Sequence, residues 1–225
     1  TTEIEANEYH GCFDFTGKLE LPNKLTKIGA RSFYACHGFT GELVIPDSVT
    51  VIGTSAFERC YGFTSLKLSD SLTTINSKAF YLCQNIEGIL DIPFNIETIQ
   101  ADAFRSTSLT LMRYYGESIN CDSSAFEAGI SCQVRQDYSF SSVCGISVSW
   151  KVPVALSKKC STGALTIPDK TEIENYEYHG CDKFTGKLAL PNKLTTIGRK
   201  GFYGCSGFTG ELVIPDSVTS IGISA

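Results

Sequence analysis

Cysteine and histidine are the residues of this chain with the most chemistry to offer. Its ten cysteines and three histidines come close in sequence only at His10-Gly11-Cys12, Cys36-His37 and His179-Gly180-Cys181. Two chemistries could follow from them. A structural zinc site needs four ligands converging on one point, and a Cys–His pair can activate a thiolate nucleophile. The spacing supports neither. No C-x-x-C occurs, and each pair sits at a position that recurs along the chain. His37 becomes Ser206 in a second copy of its own segment. The nucleophile elbow G-x-S-x-G, the P-loop and G-x-G-x-x-G are also missing. Carboxylates such as Asp47 and Asp216 follow a proline, where an Asp side chain can hydrogen-bond its own turn. The sequence reads as non-enzymatic, with no catalytic, cofactor or metal residues to name.

What positions the cysteines is a repeat. Phe33–Cys36, Phe57–Cys60, Phe80–Cys83 and Phe202–Cys205 are one F-x-x-C motif, and the first three cysteines lie 24 and 23 residues apart. A fixed period of this length marks a stack of similar coils. The unit is L-x-[LI]-P-x-x-[LV]-x-x-I-G-x-x-[AS]-F-x-x-C, running from Leu19, Leu43, Leu66, Leu90, Leu188 and Leu212, with a weaker version from Leu109 and a fragment at Leu165. Leu43 and Ile45 alternate with Glu42 and Val44, as expected of a short strand with one buried face. Pro46 ends that strand, because it has no N–H for the ladder. Val49 and Ile52 read as a second short segment facing the same core. Gly53 is expected to take a positive φ at the next corner. Asn76, which replaces it one coil on, fits that reading; Gln100 in the following coil does not.

Ala56 to Cys60 reads as one helical or 3₁₀ turn, with Phe57 and Cys60 on the same face. Stacked copies predict an interior ladder of Phe33, Phe57, Phe80, Phe104, Phe126 and Phe202. Cys12, Cys36, Cys60, Cys83, Cys181 and Cys205 share one repeat position and are expected to be free thiols packed inside. Cys121, Cys132, Cys144 and Cys160 lie off this ladder, and any disulfide is expected among them, in one of three pairings.

A larger duplication overlies the repeat. Residues 2–53 match 171–222 at 40 of 52 positions with an offset of 169. We expect one continuous array over 1–225: regular to weakening coils in 1–132, two diverged coils or a partner-displaying insertion in 133–164, and coils duplicating 2–53 in 165–225. Both ends cut through a unit, so the chain reads as a fragment of a longer array, with end-to-end self-association expected.

A net charge of −5 without a basic run argues against nucleic acid or an anionic membrane as the partner. No apolar stretch approaches the length needed to span a membrane. The surface left for function is the outward row of the strand segment. Alternation places Lys18, Glu20, Glu42, Val44, Ser65, Lys67, Ile89, Asp91, Lys187, Ala189, Glu211 and Val213 there. Trp150 is a further candidate contact from the diverged middle, and Tyr34, Tyr61, Tyr81 and Tyr203 form a competing row beside the Phe–Cys turn.

The unit as written resembles the BspA-like, or Treponema pallidum type, subclass of leucine-rich repeats over about 19–105 and 188–222. The resemblance implies a curved, strand-rich leucine-rich-repeat solenoid. It also implies a place on the surface of bacteria or mucosal protists, as an adhesin or surface antigen for proteins such as those of the host matrix. It brings no catalytic or ligand residue with it. The expected function is cell-surface or secreted protein binding through the sheet face; the alternative is an intracellular scaffold whose thiols stay reduced.

Overall fold

A computed structural model describes residues 2–114, 116, 119–135, 141–152, 165, 167–174, 177–178, 181, 184–222 and 225. The backbone forms two compact units, one of Thr1–Val134 with Tyr138–Lys151 and one of Arg135–Asp137 with Val152–Ala225.

In the first unit the strands are, in chain order, β1 (Glu3–Ile4), β2 (Lys27–Ile28), β3 (Gly41–Val44), β4 (Val51–Ile52), β5 (Phe63–Lys67), β6 (Thr74–Ile75), β7 (Glu87–Ile92), β8 (Thr98–Ile99), β9 (Ser108–Tyr114), β10 (Asn120–Cys121), β11 (Ser131–Arg135), β12 (Ser142–Val143) and β13 (Ile146–Val152). They sort by their place in the repeat. The isoleucine–glycine segments build a six-stranded parallel sheet, β1-β2-β4-β6-β8-β10. Its register puts Ile4, Ile28, Ile52, Ile75, Ile99 and Cys121 in one column. The leucine segments build a two-stranded piece, β3-β5, and a five-stranded one in the order β12-β13-β11-β9-β7. β-Branched residues at inward positions favour these short strands. Leu43, Ile45, Val49 and Ile52 are all buried, as their alternation predicts.

The segment from Gly53 to Cys60 departs from the helical turn expected there; among the described residues no helix or 3₁₀ helix occurs. It is a run of overlapping turns. Ala56, Glu58 and Cys60 donate their N–H groups back to Gly53, Ser55 and Phe57, whereas Ser55, Phe57 and Arg59 donate to Ser77, Ala79 and Tyr81 in the next coil. The neighbouring coils repeat the alternation at 29–36 and 76–83. A helix would use every N–H within its own coil. This ribbon uses each second one to bind its neighbour, which answers the demand that buried backbone groups be paired. Positive φ falls at residues three and seven of the ribbon, as at Ser55 (56°) and Arg59 (62°), and at Lys78 (58°) and Leu82 (59°).

Gly53 is not among the positive-φ residues, so conformational freedom is not why glycine stands there. A Cβ on Gly53 would lie 2.5 Å from the backbone nitrogen of Ala30, and one on Gly29 would lie 2.6 Å from that of Ala6. The glycine is there because adjacent coils nearly touch. Where Asn76 and Gln100 take its place, the bond to the previous coil lengthens to 3.3 and 3.0 Å from the 2.8 Å of Gly53. Asp47 also differs from expectation. Its Oδ1 accepts the Asp70 N–H of the following coil at 3.0 Å, so its hydrogen bond ties coil to coil.

The phenylalanine ladder is present and begins one ring earlier than expected. Tyr9, Phe33, Phe57, Phe80, Phe104 and Phe126 stack with centroids 5.0–5.5 Å apart. A second column, Phe15-Phe39-Phe63, runs beside it at 6.0 and 6.4 Å and meets the first edge-on. Both arrangements are favoured by the ring quadrupole.

Within the described part of 133–164, Gln133 and Val134 still pair in parallel with β9, while β12 and β13 form an antiparallel hairpin with β13 next to β11. The second unit holds β14 (Glu172–Ile173), β15 (Thr196–Ile197) and β16 (Ser220–Ile221) in one parallel sheet, with Ile173, Ile197 and Ile221 in register. Tyr178 stacks on Phe202 at 5.1 Å and Phe184 on Phe208 at 5.7 Å, repeating the start of the first unit.

Candidate functional site

The thiols are built into the spine and hold each coil to the one before it. Cys36, Cys60 and Cys83 donate S–H bonds to the carbonyls of Tyr9, Phe33 and Phe57 at 2.9–3.0 Å, and Cys205 does the same to Tyr178. Each partner is the ring residue of the preceding coil. Cysteine therefore suits the position as a small side chain that can still donate. Burial pushes the Cys36 thiol up to about 11 and Cys83 to about 12, with Cys60 well above its usual value, because a desolvated thiolate is costly. A nucleophile needs the opposite shift.

Cys36 and His37 do not assemble as a pair. The thiol faces Tyr9, while the His37 ring lies over Tyr61 at 4.7 Å with its Nδ1 2.7 Å from the Arg59 carbonyl. His10 stacks on Tyr34 at 4.9 Å. Among the described residues, no group of three or more His, Cys, Asp or Glu could hold a metal ion.

Six free thiols are described: Cys12, Cys36, Cys60, Cys83, Cys132 and Cys205. Their membership differs from expectation at one place. Cys181 is disulfide-bonded, so it does not belong to the free ladder, and Cys132 is buried in β11 in register with Met112. Cys121 and Cys144 form a disulfide. Of the four off-ladder cysteines, Cys160 lies outside the described residues.

The sheet face brings part of the expected row together. Glu42 lies opposite Ser65, and Val44 opposite Lys67. Glu42 is exposed, whereas Val44, Ser65 and Lys67 are half-buried. A register shift after Gly88 places Ile89 beside Leu111 and Asp91 beside Arg113. Gly88 takes φ 79° there, which glycine adopts without strain. Ile89 is 49 % exposed, and Arg113 Nη1 reaches Asp91 Oδ1 at 3.7 Å. Lys18 and Glu20 are exposed on the same segment of an earlier coil. Lys187, Ala189, Glu211 and Val213 are exposed in the second unit, where Ala189 bridges Val213 in parallel. Trp150 belongs to β13; its side chain lies outside the described residues.

Sequence reasoning missed Leu111 and Arg113, the other half of each of these pairs. The unit started at Leu109 would put Leu109 and Leu111 at the buried places of Leu43 and Ile45, whereas Met112 and Tyr114 are the buried residues of β9. Of the competing row, Tyr34 and Tyr61 are half-buried against the two histidines, and Lys78 and Lys200 lie 5.5 and 4.6 Å over Tyr81 and Tyr203.

The model of the BspA type leucine rich repeat region matches residues 2–133 and 154–225, with six copies. None of the curated proteins matches the chain significantly. Similar solved structures include a leucine-rich repeat protein of T. pallidum (21 % identity, TM-score 0.45, covering 84 % of this chain and 76 % of that one). Another is a leucine-rich repeat protein from Bacteroides ovatus (17 %, 0.42, 99 % and 66 %). A third is the pneumococcal vaccine antigen PcpA (22 %, 0.43, 98 % and 56 %). This chain spans less than two thirds of the last two.

Proposed function

The chain belongs to the BspA type leucine-rich repeat family, and from that membership we propose that it is a protein-binding module of the cell surface. It engages proteins of a host or of a neighbouring cell through the outward row of its parallel sheet. The observation that carries this reading is the pairing on β7 and β9. An apolar pair, the exposed Ile89 and the half-buried Leu111, lies next to an ion pair, Asp91 and Arg113, on a backbone fixed by coil-to-coil hydrogen bonds. An apolar centre with a charged rim is the usual anatomy of a protein contact. The near-neutral sequence of charges along the row offers nothing to a polyanion.

The Cys121–Cys144 disulfide supports the surface over the intracellular alternative, because disulfides persist in oxidising compartments. The buried aromatic and thiol spine supports a scaffold without a reaction.

The test is binding of the 225-residue chain to immobilised matrix proteins, fibronectin among them, beside the variants Ile89→Asp and Leu111→Asp. Saturable binding weakened roughly tenfold or more by either variant is expected. Binding that both variants leave unchanged would remove the sheet face as the site, and no binding to any matrix protein would remove the adhesive reading.

A further inference from the structure

Within the first unit each strand pairing with a described register is parallel except one. β12 runs antiparallel to β13, with Val143 opposite Ile146 and Ser142 opposite Ser147. The turn between them is Cys144 (φ 53°) and Gly145 (φ 74°), the left-handed pair that a two-residue hairpin requires. This changes what the stack presents at that end. A parallel coil leaves an edge in the same direction as the one it covered, so another coil can be laid on it. Here the edge strand of the five-stranded sheet is β12, two residues long and turned back on β13, and a short edge strand resists further pairing.

The hairpin also seals the interior. Val143 and Cys144 are buried, and Ile146 and Val148 pack against the core of the first unit. A Cβ on Gly145 would meet the Ser123 Cβ at 3.0 Å, so the turn is seated directly on the preceding coil. One covalent bond fixes it there. Cys144 is bonded to Cys121 with 4.8 Å between their Cα atoms, about the spacing of neighbouring strands. Cys121 occupies the column that isoleucine fills in the earlier coils, next to Ile99. The bond therefore joins the last strand of the six-stranded sheet to the hairpin that ends the other sheet.

We propose that Ser142–Lys151 is a redox-locked cap: the closed Cys121–Cys144 bond terminates the coil stack of the first unit, and reduction releases the hairpin to uncover the β11 edge and the apolar coil beneath it. The opening step is thiol–disulfide exchange with an external dithiol. The reductant supplies two electrons and two protons, Cys121 and Cys144 become thiols, and the dithiol closes to a cyclic disulfide. Cys132, the free cysteine of β11, does not attack in its place. Burial pushes it up to about 11, which keeps it a thiol at neutral pH.

Native-state hydrogen exchange read by mass spectrometry tests the cap in two preparations. One is the double variant Cys121→Ser/Cys144→Ser under non-reducing conditions, which leaves the Cys181 bond in place. The other is the parent chain treated with dithiothreitol, with alkylation confirming that Cys121 and Cys144 have become free. Amides of Ile146–Val152 and Ser131–Arg135 should exchange roughly tenfold faster or more in both, while those of β2, β4 and β6 stay protected. A Cys132→Ser variant should show no such change at β13. Unchanged protection of β13 after the bond is opened would overturn the proposal. So would a bond that native-state reductant cannot open, or loss of protection throughout the unit in both preparations, since a cap that detaches leaves its coils folded. Should the double variant alone fail to fold, the reduced parent decides between these outcomes.

Discussion

The coil of Leu43–Ile52 and the coil of Leu212–Ile221 have nearly the same sequence and opposite fates. Leu43, Ile45 and Ile52 are 0, 1 and 0 % exposed, whereas Leu212, Ile214 and Ile221 are 55, 44 and 54 % exposed. The residues match at nine of ten positions, with Ser220 standing for Val51. What differs is the company: the first coil has neighbours on both sides, while the second, among the described residues, has one only on the side of β15. A coil in this protein does not own its core. It contributes half of two interfaces, and burial is a property of the stack.

The largest test of that contrast uses the ring ladder. Phe57 is wholly buried between Phe33 and Phe80 at 5.1 and 5.5 Å, while the half-buried Phe202 stacks on Tyr178. Phe57→Ala should cost about 3–5 kcal/mol. Phe202→Ala should cost about half as much, in proportion to the area it buries. Chemical unfolding followed by exchange in each unit gives both numbers, and equal costs would break the contrast.

The thiol bonds come next. Cys60→Ala removes one of two donors to the Phe33 carbonyl, which keeps the Cys36 N–H at 3.2 Å, and should cost about 0.5–1.5 kcal/mol. Cys205→Ala is expected to cost less, under about 0.5 kcal/mol, because Cys205 is only half-buried and water can take the place of its thiol. The smallest effect is with pH. The folded-state values of Cys36, Cys60 and Cys83 lie above the unfolded one, so the stability they contribute is complete below about pH 8.5, the ordinary thiol value. It declines as pH rises towards about 11–12, where the unfolded chain has already lost its thiol protons. Urea midpoints measured from about pH 8 to 11 should fall in the parent and fall less in a Cys36→Ala/Cys83→Ala variant.

Much of this fold was legible from the period alone. The isoleucine column, the ring ladder and the outward row follow from residues that recur every 23 or 24 positions. The ribbon at Gly53–Cys60 was not, because Phe57 and Cys60 share a face equally well in a helix and in a run of turns; only the destination of alternate N–H groups separates the two. Tyr9 escapes a search for phenylalanine, although a tyrosine ring stacks as well. Gly53 invites an explanation from its own backbone, when the cause lies in the backbone of the neighbouring coil. The Cys121–Cys144 bond does have a signal in the period. Counting one coil on from Ile99 reaches Cys121, and another 23 residues reach Cys144. Of the candidate face, alternation finds Ile89 and Asp91, but their partners Leu111 and Arg113 depend on the register shift at Gly88, which no single-strand alternation reveals.

The central claim, that neighbouring coils and not the coil itself supply the core, is tested most directly by one matched pair of substitutions. Leu43→Ala and Leu212→Ala remove the same atoms from the same repeat position, and hydrogen exchange of β4 and β15 reports the local stability of each. The account predicts a loss of about 2–5 kcal/mol for Leu43→Ala and within about 0.5 kcal/mol of no change for Leu212→Ala. Equal losses at the two positions would contradict it.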